Sequence, residues 1–140
     1  MFTKVAVAYD GSDGANKALQ AAIDLTHCLN VDLYAVMVEE ELPRYAGTID
    51  EVDAIKEQKD AYFAQLGQEA NSLAEDRGVA LRTEVIAGHE IGALVDYVKR
   101  GGFDLLVIGS HGHSMLYERF IGSTAHGLMV SAPCSVLVVK

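Results

Sequence analysis

The sequence predicts an α/β protein: a single doubly wound, five-stranded parallel sheet in the order 3-2-1-4-5, with helices on both faces. Three observations carry this expectation. Five short apolar runs alternate with longer amphipathic ones, and strands separated by helices pair in parallel. The first and fourth runs, Val5–Ala8 and Leu105–Ile108, are apolar on both faces, as central strands covered on both sides are. The third alternates, with Leu81, Thr83 and Val85 on one side and Arg82 and Glu84 on the other. Charges of that kind suit an edge strand, whereas the order 2-1-3-4-5 would bury them.

Each element has its own signal. Lys4–Tyr9 (KVAVAY) reads as the first buried strand. Asp10-Gly11-Ser12-Asp13 is a turn, with Ser12 as N-cap of a helix in which Ala15, Ala18, Leu19, Ala22 and Leu29 recur at helical spacing. Val31–Val38 is the second strand, and Glu39–Asp50, with Pro43 and Gly47, a polar loop. A long helix follows from about Glu51 to Arg77, its inner stripe formed by Val52, Ile55, Tyr62, Leu66 and Leu73. Gly78 stops it, and Val79–Ala87 is the third strand. Gly88-His89-Glu90 leads into a helix through Ile91, Leu94 and Val98 that ends at Gly101-Gly102. Asp104–Ile108 is the fourth strand, a helix from Ser123 to about Ser131 ends before Pro133, and Ser135–Lys140 is the fifth strand. With no repeat, low-complexity segment or linker, residues 1–140 read as one domain.

Composition narrows the function classes. Twenty acidic residues against eleven basic give a net charge of −9. Such a surface disfavours non-specific binding to nucleic acid or anionic membrane. The start, MFTKVAVAYDGS, has too short an apolar run for a signal peptide, and no stretch approaches the roughly 20 apolar residues that span a bilayer. Cys28 and Cys134 form no C-x-x-C motif and read as two buried thiols in a reducing compartment. A cytoplasmic protein without membrane insertion or nucleic-acid partner is expected.

The stretch GSHGHSMLYERFIGST, Gly109 to Thr124, stands apart from the core pattern. In the order 3-2-1-4-5 the winding reverses between strands one and four, and ligands of such Rossmann-like sheets bind beyond the strand C-termini at that switch point. Tyr9-Asp10-Gly11 and Gly109-Ser110-His111-Gly112 lie there. Gly109 and Gly112 let the backbone turn sharply and let a ligand approach without a Cβ in the way. Gly122 repeats the device where the last helix begins, and Ser123 and Thr124 add hydroxyls beside its unpaired amides. That helix end carries roughly half a unit of positive charge, which suits an anion. The loop is neither a Walker A motif, since no G-x-x-x-x-G-K-S/T occurs, nor the dinucleotide G-x-G-x-x-G fingerprint after the first strand. On local pattern, phosphate binding and a tight strand–helix connection both remain open.

Gly109-x-x-Gly112, nine residues, then Gly122-Ser123 resembles the ATP-binding motif G-x2-G-x9-G-S/T of the universal stress protein family. VAVAYDGS near the start, APC before the last strand and VLVVK at the end are similar to that family too. The resemblance implies the 3-2-1-4-5 sheet of the adenine nucleotide alpha-hydrolase-like group, ATP as ligand and a nucleotide-dependent regulatory or sensing role in stress response. Residue by residue, it implies that Asp10, with the backbone of Ala8 and Tyr9, lies beside the adenosine and that the backbone of Val38 contacts adenine. Gly109, Ser110, His111, Gly112 and His113 would surround ribose and phosphates, with Gly122, Ser123 and Thr124 as the phosphate clasp. Met115, Thr124 and Ser135 depart from the residues most frequent at their positions.

Other readings stand beside this one. Asp10 is a candidate for ribose hydroxyls or for Mg²⁺ carried with ATP, since carboxylates are hard oxygen ligands; the alternative is a helix cap. Arg119 is the fixed cation between the motif glycines, with Glu118 beside it. His111, His113 and His126 lack the framework of a zinc site. With no catalytic lysine and no evident base for water, binding without efficient turnover is expected. A slow ATPase in the same pocket and a nucleotide-free dimeric scaffold are the alternatives. Strand five, apolar from Val136 to Val139 and uncharged until Lys140, leaves an edge open to its own copy, so a homodimer through Ser135–Lys140 is expected. The downstream protein partner is not encoded in any recognisable segment.

Overall fold

The computed structural model describes residues 1–40, 48–111 and 121–140. The chain runs β1 (Lys4–Ala8), α1 (Asp13–Leu29), β2 (Asp32–Glu39), α2 (Ile49–Asp76), β3 (Leu81–Ala87), α3 (Glu90–Gly101), β4 (Leu105–Gly109), α4 (Ser123–Ser131) and β5 (Ser135–Val139). The strands form one parallel sheet in the order β3-β2-β1-β4-β5, as the charge pattern of β3 predicts.

Strand periodicity splits the core in two. Val5 and Val7 face one side of the sheet, where Leu19 and Ile23 of α1 and Leu66 and Ala70 of α2 cover them. Ala6 faces the other, against Leu94 and Val98 of α3 and Leu128 of α4. Neighbours in register, such as Val7 beside Ala35 and Val107, put the same face of each strand on the same layer. Both outer strands are only partly covered: Arg82 and Glu84 of β3 are exposed, and β5 leaves Leu137 exposed.

Local signals set the helix ends. Ser12 caps α1 by accepting from Ala15 N at 3.2 Å, and Thr48 with Glu51 forms a capping box on α2. Gly102, with φ of 66°, closes α3 in the left-handed region.

Three sequence expectations need correction. Tyr62 and Leu29 are exposed, not part of an inner stripe. Phe63, one position on, packs against the core instead of Tyr62. α1 ends at Leu29, where Asn30 turns into the left-handed region, so no further turn of helix covers that side chain. Cys28 is likewise exposed because it lies off the face formed by Leu19, Ala22, Ile23 and Thr26, and Cys134 is half-buried. The expected polar loop shortens to the segment between Glu39 and Thr48, and residues 41–47 lie outside the described ones.

Two glycines in helices behave oppositely. A Cβ on Gly14 would stand 2.0 Å from the His111 carbonyl oxygen, whereas one on Gly92 would meet nothing within 4 Å. Gly14→Ala is expected to destabilise the protein by about 2 kcal/mol through forced separation of backbone. Gly92→Ala is expected to stabilise it by about 0.5–1 kcal/mol, as removal of a helical glycine does. Urea denaturation of both variants checks the opposite signs.

Candidate functional site

The crevice at the C-terminal edge of the sheet opens where β1 lies between β2 and β4. β2 is reached from β1 through α1, whereas β4 is reached from the opposite direction through α3. The connections therefore diverge and leave space above β1 and β4. A cavity of about 440 Å³ occupies that space.

Its first wall is the end of β1. Tyr9 continues the ladder by donating its backbone N–H to Val36 O at 2.9 Å, and its buried hydroxyl donates to Asn16 Oδ1 at 2.9 Å. Burial, reinforced by the Glu69 and Asp10 carboxylates, raises the pKa of that phenol and keeps it a donor. Asp10 Oδ1 accepts from Ser12 N at 2.9 Å, which ties the turn, while Ser12 itself caps α1. The structure thus separates two roles that the sequence left open. Asp10 shapes the turn and lines the cavity; it is not the helix cap.

The second wall is the end of β4. Ser110 is buried and joins three elements: its N–H donates to Val139 O at 2.9 Å, and its carbonyl accepts from Gly122 N at 2.7 Å. β5, β4 and α4 are therefore linked through one residue. A Cβ on Gly109 would stand 2.6 Å from Gly14 O, so this end of β4 packs directly against the first turn of α1. Ser110 Oγ lies 3.0 Å from His111 Nδ1, and His111 Nε2 is buried without a hydrogen-bond partner among the described residues.

The third wall is the start of α4. Gly122 is its N-cap and supplies no capping side chain, and no acidic residue lies in the first turn. α1 and α2, by contrast, have both a side-chain cap and acids in that turn. The amides of the first turn of α4 therefore lack a covalently adjacent acceptor, in the position where Ser123 and Thr124 line the cavity. Gly122 has φ of −60°, open to any residue, so it is not required there for its dihedral angles. Space is the constraint: a Cβ would sit 3.2 Å from Ser110 O.

Ala8, Tyr9, Asp10 and Val38 line the cavity on the β1–β2 side, and Gly109, Ser110 and His111 on the β4 side, with Gly122, Ser123 and Thr124 at the start of α4. The chain thus brings together every described residue of the candidate set. Gly112, His113, Met115, Glu118 and Arg119 lie outside the described residues. Among the described residues no group of three or more His, Cys, Asp or Glu side chains is placed to hold a metal ion. His126 is exposed on α4.

Two contributors escaped the sequence reading. Gly14 follows the turn glycine by three positions and has no turn to make, which is its only local signal. Glu90 reads as an ordinary first-turn acid of α3, yet it also lines the cavity and accepts from Thr124 Oγ1 at 3.4 Å. Burial, then repulsion from Asp10, raises its pKa above the usual carboxylate range, against the opposing hydrogen bond from Thr124.

The sequence profile of the universal stress protein family matches residues 1–140. The universal stress protein YxiE of Bacillus subtilis is 30% identical over 148 aligned positions that span 100% of both chains. Among solved structures, the universal stress protein UspA from Lactobacillus plantarum superposes with a TM-score of 0.78 at 26% identity, covering 99% of this chain and 98% of its own. A universal stress protein in complex with cAMP aligns with a TM-score of 0.77 at 24% identity, over 99% of this chain and 97% of its own.

The raised pKa of Glu90 has a consequence for stability. The folded state holds this proton more tightly than the unfolded chain, so the native protein loses stability relative to a Glu90→Gln variant as pH rises through the folded pKa. Urea denaturation of both proteins between pH 4 and pH 7 is expected to show the wild type gaining on the variant as pH falls. A constant difference across that range would remove the electrostatic account of Glu90.

Proposed function

This chain belongs to the universal stress protein family, and we propose that it is an ATP-binding member, a nucleotide-dependent regulator in stress response and not an efficient enzyme. The observation that carries this reading is the convergence of an uncapped helix start and a Cβ-free strand end on one cavity at the switch point. Backbone amides at a helix N-terminus are an anion site. The apolar side formed by Val36, Leu94 and Ile108 suits a flat base.

In this reading adenosine lies along the ends of β1 and β2, against Asp10 and the backbone of Ala8, Tyr9 and Val38. The phosphates lie between Gly109, Ser110 and His111 on one side and Gly122, Ser123 and Thr124 on the other, with Gly112 and His113 completing the loop. Mg²⁺ bound with the phosphates would offset charge that a protein of net charge −9 does not. Asp10 is the candidate protein ligand, through Mg-ATP only, since it stands in no larger cluster of potential ligands among the described residues. The cAMP complex of a relative of the same fold is in keeping with an adenine nucleotide in this cavity. Two surfaces, with and without nucleotide, would give a downstream protein something to distinguish. The proposed setting is the cytoplasm; among the described residues no helix is long and apolar enough to cross a membrane.

The edge strand β5 supports a homodimer through Ser135–Lys140. Val139 O accepts from Ser110 N, so the polar groups of Val139 face β4 and those of Val138 face outward. Pairing two such edges across a two-fold axis satisfies both backbones and closes the assembly.

Titration calorimetry tests the site. Gly122→Val is expected to lower ATP affinity at least about tenfold, because the branched side chain enters the cavity beside Ser110 O. Chelation of Mg²⁺ is expected to weaken wild-type binding. Unchanged affinity in both cases would overturn the clasp and the metal. For the dimer, Val138→Pro removes an outward donor without touching the β4 ladder, and light scattering at micromolar concentration is expected to shift from dimer toward monomer.

A further inference from the structure

We propose that Glu90 sets the charge selectivity of the cavity: it holds a carboxylate against the open start of α4 and opposes each unneutralised negative charge on an incoming nucleotide. The proposal rests on the nucleotide reading of this cavity and assigns a specificity-determining residue to it.

The argument begins with what α4 lacks. Its first turn has neither a capping side chain nor an acid of its own, so the positive end of the helix dipole is open to an anion from elsewhere. Glu90 provides one from 34 residues away: α3 begins beside α4, and Thr124 Oγ1 donates to Glu90 Oε2 at 3.4 Å. The carboxylate stands where the phosphate clasp is placed, because Thr124 and Glu90 line the same cavity. It stands beside the helix start through the Thr124 hydroxyl.

Among the described residues, the surroundings of Glu90 do little to cancel its charge. Asp10 and Glu40 add repulsion, and among described neighbours His89 and Thr124 favour the charged form. The ion pairs among the described residues, Arg77 with Asp24 and Arg100 with Asp96, engage other carboxylates. A ligand anion entering beside α4 must therefore share the helix end with an existing negative group. Like charges at close range in a partly desolvated site repel substantially. The opposition grows with ligand charge: none for adenosine, some for AMP, most for ATP without a divalent cation. Mg²⁺ on the phosphates relieves part of it. Glu90 thereby favours nucleotides that arrive neutralised, in a protein whose overall charge does nothing to attract them.

Calorimetry of wild type and Glu90→Gln with adenosine, AMP, ATP in excess chelator and ATP with Mg²⁺ tests this. The variant is expected to bind metal-free ATP about tenfold tighter and AMP a few-fold tighter, with adenosine unchanged within about twofold. Excess Mg²⁺ is expected to shrink the difference for ATP. Glu75→Gln, the same change in net charge at the far end of α2, is expected to leave all four affinities at wild-type values. An equal gain for adenosine, no gain for ATP, or weaker ATP binding in Glu90→Gln would each overturn the proposal while leaving the nucleotide site standing. Failure of wild type and both variants to bind any of the four would overturn the site and this proposal together.

Discussion

Backbone meets backbone without room for a Cβ where the first turn of α1 crosses the end of β4, and the rest of the site depends on that contact. Gly14 and Gly109 face each other there, with the His111 carbonyl beyond them. The contact draws the switch-point loops of β1 and β4 together, although they are separated by most of the chain. Ser110 then fixes α4 and β5 to the same point through its carbonyl and its amide. A cavity whose walls come from β1, β4 and α4 exists because these joints are short and made of main chain, with little rotamer freedom to lose.

The two-sided core explains why this edge of the sheet can serve as a rigid platform. β1 and β4 are buried on both faces, by α1 and α2 on one side and by α3 and α4 on the other. Polar groups at the strand ends are therefore held by packing below them, and the hydrogen bonds of Tyr9, Asp10 and Ser110 orient them further. In the proposed reading, recognition rests largely on amides and on the start of a helix. That arrangement suits a phosphate chain in a protein whose net charge is −9 and whose surface field offers an anion no help.

Electrostatics at the site runs against the proposed ligand class in one place. Glu90 adds a carboxylate to a cavity already containing Asp10, and burial makes that charge costly. Such an arrangement lowers the stability of the empty protein slightly and, as proposed, narrows what binds. Perturbed carboxylates of this kind cluster at functional sites.

Legibility differed between elements for physical reasons. The sheet order was legible because it is written in period-two patterns: two strands apolar on both faces must be central, and Arg82 with Glu84 must lie at an edge. The helix caps Ser12 and Gly102 were legible because capping is decided within a few residues of chain. The candidate site was legible partly as a spacing of glycines and hydroxyls at the switch point and partly through the family resemblance, which implied Ala8 and Val38; Ala8 through Asp10, Val38, Gly109 through His111 and Gly122 through Thr124 do line one cavity. Tertiary structure alone decided the rest. Nothing near Gly14 reveals that the His111 carbonyl will stand 2.0 Å from its missing Cβ, and nothing near Glu90 reveals Thr124 across the gap between α3 and α4. Tyr62 follows the helical period yet faces outward, because a partner surface decides which face of α2 is buried. Sequence determines what depends on neighbours along the chain; contacts between distant segments depend on how packed elements meet, and that is a property of the whole fold.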